Sequence, residues 1–452
     1  MITRLEAIRY RCFERLGIDL GGFQVIVGAN GAGKTTLLDM PVLFGALLRA
    51  TNVSRPFMEG HGGRPPRAGS LNELVFAARG SDFSLALEAR LPEDIQARVV
   101  EGMLARMRSG NSQRAFRNDP NRWPSHIRYE ITFRIFNDRE LKVLNEYLFL
   151  FSETNGPDRK RGGLHGALTD TNRHWRSVLK REFGYEVEFQ PEVPSGRNPR
   201  AMLTKVAMPD IQLALPRVIY EPEAEYPAAT WLFRLLTASA VFLDPDWSAM
   251  RLASPPGQIE DIAADGRNFP WLAFDLKRDG APEGAGLEYR SERYSDWIAH
   301  VQTALPQVTD IDVREREDDH HTYFRVHFRG GFDVPQSALS DGTLRILTLT
   351  LIPYLTTHPA ILVTEEPENG IHPRAIEAVL QSLSSLRGSQ VWISSHSPVV
   401  LGSVDIDQLL CARLSSAGGV QIVPGRDHPR LMEWRRGIDL DLGALFAAEV
   451  LN

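Results

Sequence analysis

An α/β fold with a second, antiparallel β region is predicted by three observations. The last third of the chain alternates a helix (residues 343–355), a wholly apolar strand (361–364), a second helix (373–386) and a second apolar strand (391–394). Apolar strands separated by helices belong to a parallel sheet covered on both faces. The first 38 residues read strand, strand, glycine-rich loop, helix, with Phe23, Val25, Ile26 and Val27 forming a buried-strand run before the loop. Between these ends, residues 83–89, 127–135 and 140–151 are rich in β-branched and aromatic side chains and predict an antiparallel sheet.

Each element has a local reason. Residues 2–10 alternate apolar and polar, residues 17–20 lead into the Gly21-Gly22 turn, and a helix starts near Lys34. Glu59-Gly60-His61-Gly62-Gly63-Arg64-Pro65-Pro66 is a surface loop by its breakers. From about residue 235 the pattern turns helical, and 310–316 with 322–329 predicts a hairpin around Glu317, Asp318, Asp319, His320 and His321. The two histidines sit at the hairpin tip, where neighbouring side chains diverge, so a metal pair is not expected. Asp439-Leu440-Asp441 reads as a capped turn before a helix over 442–450. No internal repeat or sustained heptad is present, and prolines interrupt any long coiled coil.

Composition narrows the function classes. The 452 residues are 43% hydrophobic and 24% charged, an ordinary globular balance. With 51 Lys+Arg against 57 Asp+Glu, the formal charge of −6 provides no global field for a polyanion. Cys12 and Cys411 offer neither a disulfide framework nor metal-ligand spacing, which points to a reducing compartment. Apolar runs are too short to span a bilayer, and Met1-Ile2-Thr3-Arg4 has no signal pattern. A cytoplasmic protein with no membrane contact is expected.

Gly28-Ala29-Asn30-Gly31-Ala32-Gly33-Lys34-Thr35 matches G-x-x-x-x-G-K-[ST] between a strand and a helix. Its glycines let backbone N–H groups turn inward around phosphate oxygens, and the helix start adds a positive dipole end. Lys34 reaches the outer phosphates and the Thr35 hydroxyl binds Mg²⁺ in this motif. A second acidic element is needed, and Ile361-Leu362-Val363-Thr364-Glu365-Glu366-Pro367-Glu368 supplies it. Glu365 is the candidate metal ligand and Glu366 the candidate base that orients or deprotonates water.

The segment continuing through Asn369-Gly370-Ile371-His372-Pro373 resembles the Walker B stretch of ABC-type P-loop ATPases of the RecF, SMC and OLD (overcoming lysogenization defect) group. That stretch is normally four apolar residues, Asp-Glu-Pro-Glu, then Leu-His-Pro. Leu339-Ser340-Asp341-Gly342-Thr343 resembles the ABC signature, and Val391-Trp392-Ile393-Ser394-Ser395-His396-Ser397-Pro398 the switch-histidine strand. Tyr10-Arg11-Cys12-Phe13 resembles the Asn-Phe-Arg-Ser-Phe segment ahead of the P-loop. Two positions depart from the pattern: Glu365 replaces the metal-holding Asp, and Asp341 replaces a Gly of the transporter-type signature.

The resemblance implies an α/β P-loop NTPase with an ABC-ATPase-like bilobed head: a mixed central sheet flanked by helices plus an antiparallel β subdomain. Lobe I spans residues 1–235 (P-loop, β subdomain, insertions at about 55–72 and 96–125). Lobe II spans 236–452 (helical insertion, signature, Walker B, switch histidine). It also implies ATP and Mg²⁺ as cofactors. Arg11, Asn30, Gly31, Gly33, Lys34, Thr35, Thr36, Ser340 and Gly342 become nucleotide contacts, Thr35 and Glu365 metal ligands, and Glu366 and His396 catalytic. Two copies then sandwich ATP head-to-tail, the signature of one closing over the P-loop of the other, and hydrolysis is slow. The long interval between Lys34 and Glu365 disfavours a transporter subunit, and the short segment after His396 disfavours an OLD-type Toprim nuclease.

Two functions follow, beside a third reading that Glu365 leaves open, a degenerate binder that holds ATP without hydrolysing it. The first is a switch ATPase that holds a separately encoded effector, a nuclease or toxin, as in antiphage defence. The second is a RecF-like DNA-binding repair protein, suggested by Arg106, Arg108, Arg114, Arg117 and Arg122 interleaved with Phe116 and Trp123. A second basic cluster holds Arg159, Lys160, Arg161, Arg173, Trp175, Arg176, Lys180 and Arg181. Asp244-Pro245 and Met250-Arg251 also resemble a family segment ahead of the signature.

Overall fold

A computed structural model describes residues 1–60, 64–107, 109–158, 175–193, 203–284, 286, 288–415, 418–429 and 431. Arg108, Arg159, Lys160, Arg161, Arg173, the Asp439–Asp441 turn and the helix expected over 442–450 lie outside them. The chain opens with β1 (Ile2–Tyr10), β2 (Phe13–Asp19), β3 (Phe23–Gly28) and α1 (Lys34–Arg49). It divides into two compact units. The first comprises residues 1–21, 31–238 and 413–422, and the second 22–30, 239–412 and 423–452. The chain therefore crosses between units inside the glycine-rich loop, and again at 238/239, where the sequence reading draws its single boundary at 235/236.

The first unit adds α2 (Arg55–Met58), β4 (Asp82–Arg90), α3 (Glu93–Arg106), α4 (Gly110–Arg117), β5 (His126–Phe136), β6 (Glu140–Phe151), β7 (Arg176–Glu182), β8 (Val187–Phe189), β9 (Thr204–Val206) and α5 (Pro227–Ala238). Its eight-stranded sheet runs β2-β1-β4-β5-β6-β7-β8-β9, antiparallel throughout, as the sequence predicts. Tyr10, Phe57, Phe83 and Phe133 form an edge-and-tilt aromatic core, with ring centroids 5.2–6.4 Å apart. Gly45 lets α1 approach α5, since a Cβ there would collide with the Leu236 carbonyl.

A charged layer crosses β1, β4 and β5. The Arg128 guanidinium, fully buried, bonds Glu6 at 2.6 Å, Glu88 at 2.6 Å and Glu130 at 2.5 Å. Burial pushes the Glu6 carboxyl up, yet Arg128 and Arg4 outweigh it and hold it at about 2. A buried guanidinium is tolerated only when its donors are met this completely.

The second unit is built on β3 together with β10 (Ala240–Leu243), α6 (Phe269–Arg278), α7 (Glu292–Ala304), β11 (Val308–Glu315), β12 (Thr322–Phe328), β13 (Phe332–Pro335), α8 (Asp341–Leu351), β14 (Ile361–Glu365), α9 (Pro373–Ser384), β15 (Gln390–Ser394), α10 (Pro398–Gly402) and β16 (Leu409–Leu414), which leads to β17 (Val420–Pro424). The strand order is β10-β14-β15-β3-β16-β17, and the pairings β10–β14, β14–β15, β15–β3 and β3–β16 are parallel. Val25, Val27, Leu362, Val391, Ile393, Leu344, Leu347, Ile376 and Leu383 share one core, which explains why the strands read as unbroken apolar runs. The predicted hairpin forms, with Glu315 opposite Thr322, and β13 extends it.

Candidate functional site

The glycine-rich loop leaves β3 at Gly28 and enters α1 at Lys34. Gly28, Gly31 and Gly33 have φ of 145°, 80° and 74°, conformations that L side chains rarely adopt. Gly33 is the left-handed cap of α1, and a Cβ on it would lie 2.7 Å from Cys12 Sγ. At Gly31 the surroundings are open, as a cradle for a ligand requires. Lys34 and Thr36 are buried, whereas Asn30, Gly31 and Thr35 are exposed. In the first unit Arg11 follows the β1 end in a left-handed turn (φ 50°), and its N–H donates to the Leu74 carbonyl at 2.9 Å. Cys12 hydrogen-bonds Thr36, and burial pushes its thiol up.

In the second unit the apolar strand β14 delivers Glu365 opposite Ser394 of β15. Glu366 follows at φ 43°, a strained value for a non-glycine residue, fixed because its N–H donates to the Ser394 carbonyl at 3.0 Å. Its Oε1 lies 3.5 Å from His396 Nε2. One residue before His396, fully buried Ser395 donates from Oγ to Glu368 Oε1 at 2.5 Å and accepts from Ser397 N–H at 3.0 Å. Its own N–H reaches the Ile26 carbonyl at 3.1 Å, so the histidine loop is tied to both β3 and the β14 turn. Burial pushes the Glu368 carboxyl up, Ser395 opposes that, and Glu366 adds to it.

Ser340 caps α8, its Oγ accepting from Thr343 N–H at 3.2 Å. Gly342 sits against the turn after β14, where a Cβ would be 2.6 Å from the Gly370 carbonyl oxygen. The second unit thus carries Asn30, Glu365, Glu366, His396, Ser340 and Gly342, and the first Arg11, Gly31, Gly33, Lys34, Thr35 and Thr36.

Residues 265–402, covering the signature, the β14 acids and the histidine strand, match the family described as "AAA domain, putative AbiEii toxin, Type IV TA system". Across those residues, a little under a third of the chain, the sequence is similar to an AAA-type ATPase domain. Similar solved structures are the SMC head bound to the C-winged helix domain of ScpA (12% identity, 93% of this chain and 97% of that one, TM-score 0.48) and the Pyrococcus furiosus Smc head domain with an extended coiled coil bound to the C-terminal domain of ScpA (12%, 96% and 99%, 0.42). The Thermotoga maritima SMC head domain is a third (12%, 94% and 98%, 0.36). No curated protein matches the chain.

Side-chain packing removes the aromatic part of the stacking argument for nucleic acid. Phe116 is buried with Val100 and Leu104, and Trp123 packs on that cluster with its indole N–H on the Phe116 carbonyl at 2.9 Å. Trp175 stacks on Phe149 at 4.7 Å, and buried Arg181 is spent on the Pro209 and Gln212 carbonyls and Asp210. These side chains serve the fold, and interleaving in sequence did not translate into interleaving on a surface. His320 and His321 turn to different partners, Glu315 and the Asp319 carbonyl. Among the described residues no group of three or more metal-ligating side chains exists, and no helix is long and apolar enough to cross a membrane.

Three site features escaped sequence reasoning. Asp39, on the α1 turn after Thr35, is buried in an ion pair with Arg67 at 2.5 and 2.8 Å. An acid within an apolar helix was the available signal. Glu368 and Ser395 belong to the two motif stretches, but nothing in the sequence pairs one with the other. Arg251 reaches the signature turn from a segment that the motifs leave without a role.

Proposed function

We propose that this ATPase head is an ATP-driven switch that closes head-to-tail with a second copy and resets by slow hydrolysis. The observation that carries this reading is the strained Glu366, held at the end of β14 with its carboxylate 3.5 Å from His396. Asn30, Gly31, Gly33, Lys34, Thr35, Thr36 and Arg11 bind the phosphates. The open, glycine-bearing loop suits a nucleotide, and a hydroxyl such as that of Thr35 or a carboxylate such as that of Glu365 is the kind of oxygen donor a hard cation takes. Mg²⁺, when bound, supplies charge neutralisation at the phosphates. Glu366 orients the attacking water and accepts its proton, and His396 holds the Glu366 carboxylate in place. Ser340 and Gly342 of the second copy close the site. The longer side chain of Glu365, in place of Asp, accounts for slow turnover.

The partner is a separately encoded effector, a nuclease or toxin, in a bacterial antiphage system. The toxin–antitoxin wording of the matching family supports this reading. The −6 charge, the burial of Phe116 and Arg181 and the packing of Trp123 on the Phe116 cluster weigh against a constitutive DNA clamp. Sedimentation of Glu366→Gln with and without ATP tests the switch. A dimer that appears only with ATP is expected, and a monomer with ATP bound refutes it.

A further inference from the structure

The segment 244–252 grips the signature helix at two points. Arg251 Nη2 bonds Asp341 Oδ1 at 2.6 Å, and Nη1 bonds the Leu339 carbonyl. Trp247 lies under the Arg345 guanidinium, 4.3 Å from ring centroid to Cζ, and Arg345 Nε is buried without a hydrogen-bond partner. The gripping segment is itself held by hydrogen bonds. Asp246 Oδ1 accepts from Ser248 N–H at 3.1 Å and Ala249 N–H at 3.0 Å. Gln336, fully buried, accepts from Phe324 N–H at 2.8 Å and donates to the carbonyls of Leu252 (3.0 Å) and Met250. Gly266 (φ 73°) leaves room for the Met250 sulfur, which a Cβ would meet at 2.7 Å.

This arrangement accounts for the departure at Asp341. An unpaired carboxylate beside Ser340 and the first N–H groups of α8 would repel a phosphate. We infer that Arg251 is the positioning residue of the signature turn, fixing the Leu339 carbonyl and offsetting the Asp341 charge so that Ser340 and the α8 N-terminus can receive a phosphate from a second copy. The inference rests on the proposed switch reading for its consequence. The geometry of the turn is testable apart from it.

The test uses the full-length chain carrying Glu366→Gln. Adding Arg251→Ala is expected to raise the ATP concentration for half-maximal dimerisation about tenfold. Affinity of the monomer for a fluorescent ATP analogue should stay unchanged, a split that general loss of folding does not produce. In the nucleotide-free chain, amide hydrogen exchange over residues 339–344 should quicken. Arg251→Lys, which keeps the charge and loses the fork, should fall between. Adding Asp341→Asn to Arg251→Ala should bring the ATP concentration for half-maximal dimerisation part of the way back toward the parent's by removing the uncompensated anion. Unchanged exchange in Arg251→Ala overturns the inference, as does an Arg251→Ala/Asp341→Asn chain no closer to the parent than Arg251→Ala alone. A parent that stays monomeric with ATP refutes the switch instead, and the exchange comparison then decides on Arg251.

Discussion

Replacing Ser395 with Ala should separate the histidine loop from the β14 turn. The hydroxyl is fully buried, donates to Glu368 at 2.5 Å and accepts from Ser397 N–H. Losing a hydrogen bond to a charged group costs about 1.5–3 kcal/mol, and stranding the Ser397 N–H adds about 1 kcal/mol. The backbone N–H groups of Glu368 and His396 also favour its charge, but both act already in the parent, and Oε2 is buried without a hydrogen-bond partner, so nothing new replaces the lost hydroxyl. A destabilisation of about 2.5–4 kcal/mol follows, a fall in Tm of roughly 5–15 °C for a unit of this size. The sign of its pH dependence is fixed by the chemistry. The hydroxyl favours the ionised carboxylate, so its loss lets burial and Glu366 push Glu368 further up. The Ser395→Ala chain therefore loses stability relative to the parent as pH rises, and the gap should be wider at pH 8 than at pH 5. Urea unfolding of the full chain at both pH values measures it, and Glu368→Gln closes a double-mutant cycle in which the Ser395→Ala penalty shrinks to about 1 kcal/mol. ATP turnover should fall at least tenfold, since His396 follows directly. A penalty indifferent to both pH and Gln at 368 would refute the reasoning.

Two further outcomes follow from the packing. Glu6, held at about 2 against an ordinary 4.5, contributes stability present above pH 4.5 and lost as pH falls toward 2, about 3 kcal/mol in all. Arg128→Met should flatten that acid limb in circular dichroism while lowering stability at pH 7 by about 3–5 kcal/mol. Gly342→Ala drives a Cβ to 2.6 Å from the Gly370 oxygen, backbone against backbone. It should cost about 1–3 kcal/mol in urea unfolding and abolish ATP-dependent dimerisation, with nucleotide binding kept.

Much of the fold was legible because its signals are local. The run Phe23–Val27, the loop glycines and Lys34 specify strand, turn and helix within a dozen residues, and Ile361–Thr364 is apolar because both faces of β14 are covered. The hairpin closing at Glu315 and Thr322 follows from alternation around a polar tip. What stayed hidden depends on partners distant in sequence. Arg128 with Glu6, and Arg251 with Asp341, look like surface charges until the strands or turns meet. Phe116 and Trp123 misled for the opposite reason: aromatics among arginines fit a stacking surface as well as a small core, and the period alone does not separate the two.

The position of β3 sets a problem for synthesis. This strand lies between β15 and β16, with Phe23 opposite Val391 and Val25 opposite Leu409. Of the six strands in its sheet it is made first, and both of its neighbours are made more than 360 residues later. At about 5–20 residues per second, the apolar run Phe23–Val27 waits roughly 20–70 s for its partners. Throughout that interval a nascent chain exposes the sticky centre of its own unfinished sheet, so yield of soluble protein should track translation speed and chaperone supply more closely than the stability of the finished molecule does.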